Sequence, residues 1–142
     1  MSHNTANAIA TPTAYPNSTP NEQTIWVVGE NAALCRHITS FDLIVNPLPV
    51  VVDTTYVICD DDTDGFATFD LSSYNAQLLG STQSTADFTV TYYDTQANAQ
   101  GGTATGLLPT TYTNNTNPEL IYPRVVNNAT GCVNALAEVT LM

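Results

Sequence analysis

The chain has 142 residues and a net charge of −11, with no lysine and with Arg36 and Arg124 as its only fixed cations. Such a surface cannot neutralise phosphates by counterion release, which excludes nucleic acid and anionic membranes as natural partners. Only 11% of the residues are charged and 43% are hydrophobic, so a folded chain is expected rather than a disordered acidic one, and oxygen-preferring cations, above all calcium, suit its charge.

Residues 1–13 are small and polar, without apolar periodicity, and read as a disordered leader. They have neither the basic start nor the apolar core of a signal peptide, so an export signal is expected elsewhere in a longer polypeptide. No stretch approaches the roughly 20 apolar residues that span a bilayer, and membrane insertion is not expected. Strands are predicted over Thr24 to Val28 and Ile38 to Val45, on either side of a turn that carries Gly29 and Asn31. In the second of them Phe41, Leu43 and Val45 share one face. This pair resembles the closing hairpin of a sandwich, and residues 14–45 read as the C-terminal part of an incomplete repeat. Two strands alone are marginally stable in water.

Asn46-Pro47-Leu48-Pro49 opens a Pro-rich connector over residues 46–55, since its prolines remove backbone donors and favour extended geometry. Residues 56–142 read as one complete unit. Strands are predicted over Tyr56 to Cys59, Phe66 to Leu71, Phe88 to Tyr93, Leu120 to Val126 and Leu136 to Leu141, with short helical turns over Ser72 to Gly80 and Thr95 to Gly102 and a turn over Asn114 to Pro118. Short strands with turn residues between them imply an all-β fold, an immunoglobulin-like or Greek-key β-sandwich.

Two landmarks recur at one spacing. Tyr15 and Tyr112, and Cys35 and Cys132, are each 97 residues apart (112 − 15 and 132 − 35). A period near a hundred residues is a whole sandwich domain rather than a solenoid turn. Three cysteines in an acidic, Thr- and Asn-rich β chain point to an oxidising, extracellular setting. Cys59 opens the complete unit and Cys132 lies close to its end, so a disulfide between them is expected, worth roughly 4 kcal/mol in the chain-entropy model. Cys35 is then left over.

Asp60-Asp61-Asp62-Thr63-Asp64-Gly65 is the one motif with a chemical mechanism. Carboxylates at Asp60, Asp62 and Asp64 alternate along a tight turn, and with the Phe66 carbonyl and Asp70 they form the expected oxygen set for calcium. Asp53, Asp94 and Glu138 are alternatives for completing the shell. The match to an EF-hand fails at the twelfth position, which is Leu71 where a bidentate Glu is needed. A calcium loop of another kind and a solvated, ion-free turn are the two readings.

Catalysis has little to build on. His3 sits in the leader and His37 beside Cys35 and Arg36, while the chain from Asn46 onward has no histidine. No Ser/His/Asp or Cys/His site and no His-bound zinc site can form there, and an enzyme is not expected. Paired acids for glycoside hydrolysis would need a larger cleft than a small sandwich offers. Trp26 and Tyr93 are the candidate glycan contacts of a carbohydrate-binding alternative, because Tyr92 and Tyr93 point to opposite faces and one should face outward. Trp26 and Tyr122 stand at matching places in the two copies, which suits packing better. Asn17, Asn114 and Asn128 begin Asn-x-Ser/Thr sequons.

Val57-Ile58-Cys59-Asp60, Asp64-Gly65-Phe66-Ala67-Thr68-Phe69-Asp70-Leu71, Val90-Thr91-Tyr92-Tyr93, Asn117-Pro118, Ile121-Tyr122, Arg124-Val125, Gly131-Cys132 and the Asn46-Pro47-Leu48-Pro49 joint together resemble the tandem repeats of large secreted surface proteins of Bacteroidota, gliding-motility adhesins among them. The resemblance implies export by the type IX secretion system, display at the cell surface and a role in adhesion or as a stalk or spacer. The partners it implies are neighbouring repeats of the same polypeptide, with surface polysaccharide or other copies of the chain beside them. Strand exchange into an extracellular fibre is a further alternative. Pro123 stands where that repeat has a strand valine, and Val27 keeps the apolar choice in the earlier copy. A proline cannot donate to a ladder, so an edge or a bulge is expected there.

Overall fold

The computed structural model describes residues 8–142; the first seven residues of the expected leader lie outside the described residues. The chain forms two units, divided between Pro47 and Leu48.

In the first unit a short 3-10 turn, Pro12–Ala14, precedes two nine-residue strands, β1 (Glu22–Glu30) and β2 (Arg36–Ile44). They pair antiparallel from Glu22↔Ile44 to Glu30↔Arg36. The Asn31 side-chain carbonyl closes the connection by accepting the Ala33 and Cys35 N–H groups, each at 3.0 Å. Arg36 forms an ion pair with Glu30 across the hairpin end. On the odd-numbered face Gln23 donates to the Tyr15 hydroxyl at 2.8 Å, and Gln23 and Ile25 are half-buried.

The second unit contains β3 (Thr54–Tyr56), β4 (Thr68–Asp70), a 3-10 turn (Leu71–Tyr74), α1 (Asn75–Leu79), β5 (Phe88–Tyr93), α2 (Gln96–Gly101), β6 (Thr111–Thr113), β7 (Glu119–Asn127), β8 (Val133–Asn134) and β9 (Val139–Leu141). One sheet has the order β3-β9-β7-β5 with β8 beside β7, and the other pairs β4 with β6. The core lies between them: Phe69 and Leu71 with Tyr74, Leu78 and Leu79 from one side, Tyr92, Ile121, Val125, Val139 and Leu141 from the other. It is an all-β, immunoglobulin-like sandwich and not a closed barrel.

Local chemistry sets the boundaries. The Asp70 carboxylate accepts the Ser72 N–H at 3.0 Å and so caps the 3-10 turn. Thr95 caps α2 by accepting the Asn98 N–H, and Gly102 ends it at φ +63. Arg124 then donates to the Ala99 carbonyl at 2.9 Å, so the one cation of this unit sits on a helix C-terminus. Of the expected connector, the part from Leu48 is bound into the sandwich: Val50 donates to Gln83, Asn134 donates to the Pro49 carbonyl and Thr54 to the Glu138 carbonyl.

The repeat holds at the level of register. Adding 97 to β1 gives the bounds of β7, and adding 97 to β2 gives the start of β8 and the end of β9. Glu22↔Ile44 becomes Glu119↔Leu141, and Thr24↔Asp42 becomes Ile121↔Val139. Beyond that point the second copy slips by one residue, since Val125 faces Asn134. The extra residue lies between β8 and β9, a bulge opposite Pro123. Tyr92, the partner of Pro123, turns its carbonyl away to Leu108, so the proline nitrogen faces the interrupted side of the ladder, where no donor is required. β7 itself is neither an edge nor the bulged strand that Pro123 led one to expect; the bulge lies on the strand opposite. This register matches Trp26 with Pro123 and Ile25 with Tyr122, correcting the matching of Trp26 with Tyr122.

Candidate functional site: the two poles of the complete unit

The second unit presents its chemistry at its two ends. The polypeptide enters beside β8: the Pro49 carbonyl accepts the Asn134 side-chain amide at 2.9 Å, and the Cys132 carbonyl accepts the Asn127 N–H at 2.9 Å. It leaves at the other end, where the Met142 carbonyl accepts the Ile58 N–H and Met142 donates to Tyr56, each at 3.0 Å. Cys59 follows Ile58 at this exit pole. β7 runs from one pole to the other, from Glu119, which faces Leu141, to Asn127, which meets Cys132. Nine residues of strand, eight rises, separate the poles by roughly 26 Å at about 3.3 Å per residue.

A disulfide requires Cα atoms about 4.4–6.8 Å apart, so Cys59 and Cys132 of one unit cannot be joined. The expected bond between them is thus corrected. Cys35 and Cys59 are exposed thiols and Cys132 is half-buried.

The acidic loop lies at the exit pole, next to Cys59. Asp60 organises it: one carboxylate oxygen accepts the Gly65 N–H at 2.7 Å, and the other accepts those of Thr63 at 2.8 Å and Asp62 at 3.2 Å. Asp62 and Asp64 accept from Asp64 and Phe66 in turn. Thr63 is held at φ +64 and Gly65 at +86, and the left-handed Thr63 is a strained state for a β-branched residue. The Gly65 N–H, with the other amide donors of the loop, holds the Asp60 carboxyl below the ordinary carboxylate range. Asp62 ends above it: the Asp64 N–H pulls it down, but the charges of Asp64 and Asp60 together with desolvation push it further up.

Among the described residues, Asp60, Asp61 and Asp62 bring carboxylate oxygens within 4.8 Å of one another. Asp61 was not in the expected set. Asp64 lies outside this group, and Asp70 is turned to Ser72 and Ser73, whose donors lower its carboxyl below the usual value, Ser72 foremost.

Asn114 anchors the loop from below and was legible in the sequence only as a turn residue and the start of a sequon. It is the buried polar residue of this pole, accepting the Ala67 N–H at 2.7 Å and donating to the Gly65 and Thr116 carbonyls at 3.1 and 2.8 Å. Next to it the Tyr112 hydroxyl donates to Glu119 at 2.7 Å. Burial, with the Glu119 carboxylate behind it, pushes the Tyr112 phenol up from 10.0 to about 12. The folded state therefore favours the neutral phenol. That contribution is full below pH 10, the ordinary value, and is lost as the pH rises towards about 12. Thermal melts across this range, with phenolate absorbance followed in parallel, should show stability falling from pH 10 upward, and Tyr112→Phe should flatten the fall.

Tyr93 is not a glycan contact. Both Tyr92 and Tyr93 are buried, Tyr92 in the main core and Tyr93 beneath α2 with Ala99 and Ala135, because helix α2 covers the face that would otherwise be wet. Trp26 is exposed on β1. His37 lies on β2, and His3 lies outside the described residues.

The second unit is thus a small sandwich with one cysteine at each pole. The family model of the Flavobacterium inter-domain disulphide bond domain matches residues 2–49 and 55–142. The chain belongs to this family, which makes it an extracellular bacterial domain. No curated protein and no solved structure matches it. No helix among the described residues is long and apolar enough to cross a membrane.

Proposed function

We propose that the chain is a non-catalytic repeat module of a surface-displayed adhesin exported by the type IX system, serving as a stalk or adhesive unit whose successive units are chained by disulfides. In this reading Cys59 of one unit bonds to the cysteine at the Cys132 position of the unit that follows. The observation that carries it is the polarity of the sandwich: the polypeptide enters beside Cys132 and leaves beside Cys59. Units joined head to tail bring those two positions to one junction, while the two cysteines of a single unit stay at opposite poles, too far apart to bond. The description of the family as an inter-domain disulphide domain supports the same reading. A covalent tie across each junction limits hinge motion at a linker and makes the array resist extension.

The test is a disulfide map of the chain oxidised at high concentration. Covalent dimers through Cys59 are expected, lost in Cys59→Ser, with no bond between Cys59 and Cys132 of one molecule. A closed Cys59–Cys132 loop in monomers would contradict the proposal.

The acidic loop belongs to the same junction, and we propose calcium as its ligand. Hard carboxylate oxygens from Asp60, Asp61 and Asp62 fit that cation, and the like charges that hold the Asp62 carboxyl up are what a divalent ion would relieve. Calcium at about 1–10 mM, tenfold above the roughly 0.1–1 mM dissociation constants of extracellular modules, should raise the melting temperature of the second unit, and Asp62→Asn should reduce that rise. An unchanged melt would remove calcium from the account.

A further inference from the structure

Among the described residues, the even-numbered face of β1–β2 carries exposed apolar side chains beside the polar Thr24, Ser40 and Asp42. Trp26, Val28, Ile38 and Ile44 lie on the even-numbered face of β1–β2 and are 69%, 43%, 59% and 65% exposed. Side chains alternate along a strand with period two, and the two hairpins share the register Glu22↔Ile44 and Glu119↔Leu141, so residues 97 apart occupy the same face along β1 and β7 and, on the partner strand, from Asp42 and Val139 to the strand end, ahead of which the second copy slips by one residue. The positions that match Thr24, Trp26, Val28, Asp42 and Ile44 are Ile121, Pro123, Val125, Val139 and Leu141. Every one of these is fully buried. What covers them is the segment running from β4 to α1, with Phe69, Leu71 and Leu78.

The approach to the hairpin also repeats. Pro12, Thr13 and Tyr15 stand 97 residues before Pro109, Thr110 and Tyr112, so the polypeptide comes to β1 as it comes to β7 (109 − 12, 110 − 13 and 112 − 15). This continuity favours an occupant on the same polypeptide over one from another molecule, because a tethered segment acts at a high effective concentration.

We propose that the even-numbered face of β1–β2 is a docking surface for the first part of a homologous repeat, equivalent to residues 48–108 of the second unit, carried ahead of it on the same polypeptide. Its Phe69-, Leu71- and Leu78-type side chains cover Trp26, Val28 and Ile44. The larger Trp26 takes the place that Pro123 holds in the second unit. This rests on reading the chain as tandem repeats, but not on the cysteine pairing.

The experiment joins a copy of residues 48–108 to Pro12 of the full chain, preserving the 97-residue spacing, and follows Trp26, the single tryptophan. In the extended chain its emission should shift to the blue, its quenching by acrylamide should fall several-fold, and the amides of β1 and β2 should gain protection from exchange. A copy carrying alanine at its Phe69 position should reverse these changes. Trp26 remaining as accessible as in the parent chain would overturn the proposal. So would burial of Trp26 in the parent chain on raising its concentration, since the occupant would then be a second copy. The cysteine map is a separate readout, so either proposal can fail alone.

Discussion

Phe69→Ala is expected to destabilise the second unit by about 3–5 kcal/mol, the usual range for emptying a fully buried phenylalanine site. Phe69 is 1% exposed, and its ring meets Tyr56 edge-on with centroids 5.2 Å apart. It also reaches the inner face of β7 and β9 across the sandwich. Domains of this size are stable by about 5–15 kcal/mol, so the change removes a large part of the total. Trp26→Ala removes a larger side chain from the first unit and should alter stability by less than about 0.5 kcal/mol, because that side chain is 69% exposed. Urea unfolding followed by far-UV circular dichroism reads both. A Trp26→Ala loss comparable to that of Phe69→Ala would show that the first hairpin already has a packed core.

Asn114→Ala should cost about 2–3 kcal/mol, through hydrogen bonds rather than volume. The side chain closes three bonds in a buried position, and its loss leaves the Ala67 N–H and the Gly65 and Thr116 carbonyls without that partner. Asn114→Asp should restore the acceptor for Ala67 but not the donors, and should place a further charge under an already acidic loop. Its melting temperature is expected to be no higher than that of the alanine variant at neutral pH. Exchange protection should fall first at Gly65 to Ala67, which checks that the loop, and not the core, is what loosens.

Strand periodicity made the hairpins and β5 legible, because β-branched and aromatic residues alternate there without competition. β5 has the bounds that pattern implies, Phe88–Tyr93. β6 was missed, since Thr111–Thr113 is too short to display alternation. Pro123 implied that its own strand is an edge or bulged, but β7 is paired on both sides and the extra residue lies on the neighbouring strand, a displacement no single-strand pattern contains. Tyr93 was misplaced because alternation tells which face a side chain takes and not whether a helix will cover that face. The Cys59–Cys132 pairing failed for a related reason: sequence order put the two cysteines at the ends of a unit, and only topology shows that those ends are opposite poles. The acidic loop was visible as a composition, but the division of labour within it, with Asp60 bonded to the backbone and Asp70 spent as a cap, is set by backbone geometry.

The proposed tie between units has consequences for mechanics. A junction held only by the Pro47–Pro49 stretch would let successive sandwiches pivot, whereas a bond from one exit pole to the next cysteine fixes a second point of attachment. Reduction should therefore lengthen and soften an array without unfolding its units, because the core of the second unit is built from apolar side chains without any cystine.

The most direct measurement is the cysteine connectivity of residues 48–142 expressed as two successive copies, oxidised and mapped by mass spectrometry without reduction. One bond is expected, from Cys59 of the first copy to Cys132 of the second, with the other two cysteines as thiols. A bond between Cys59 and Cys132 within either copy would contradict it.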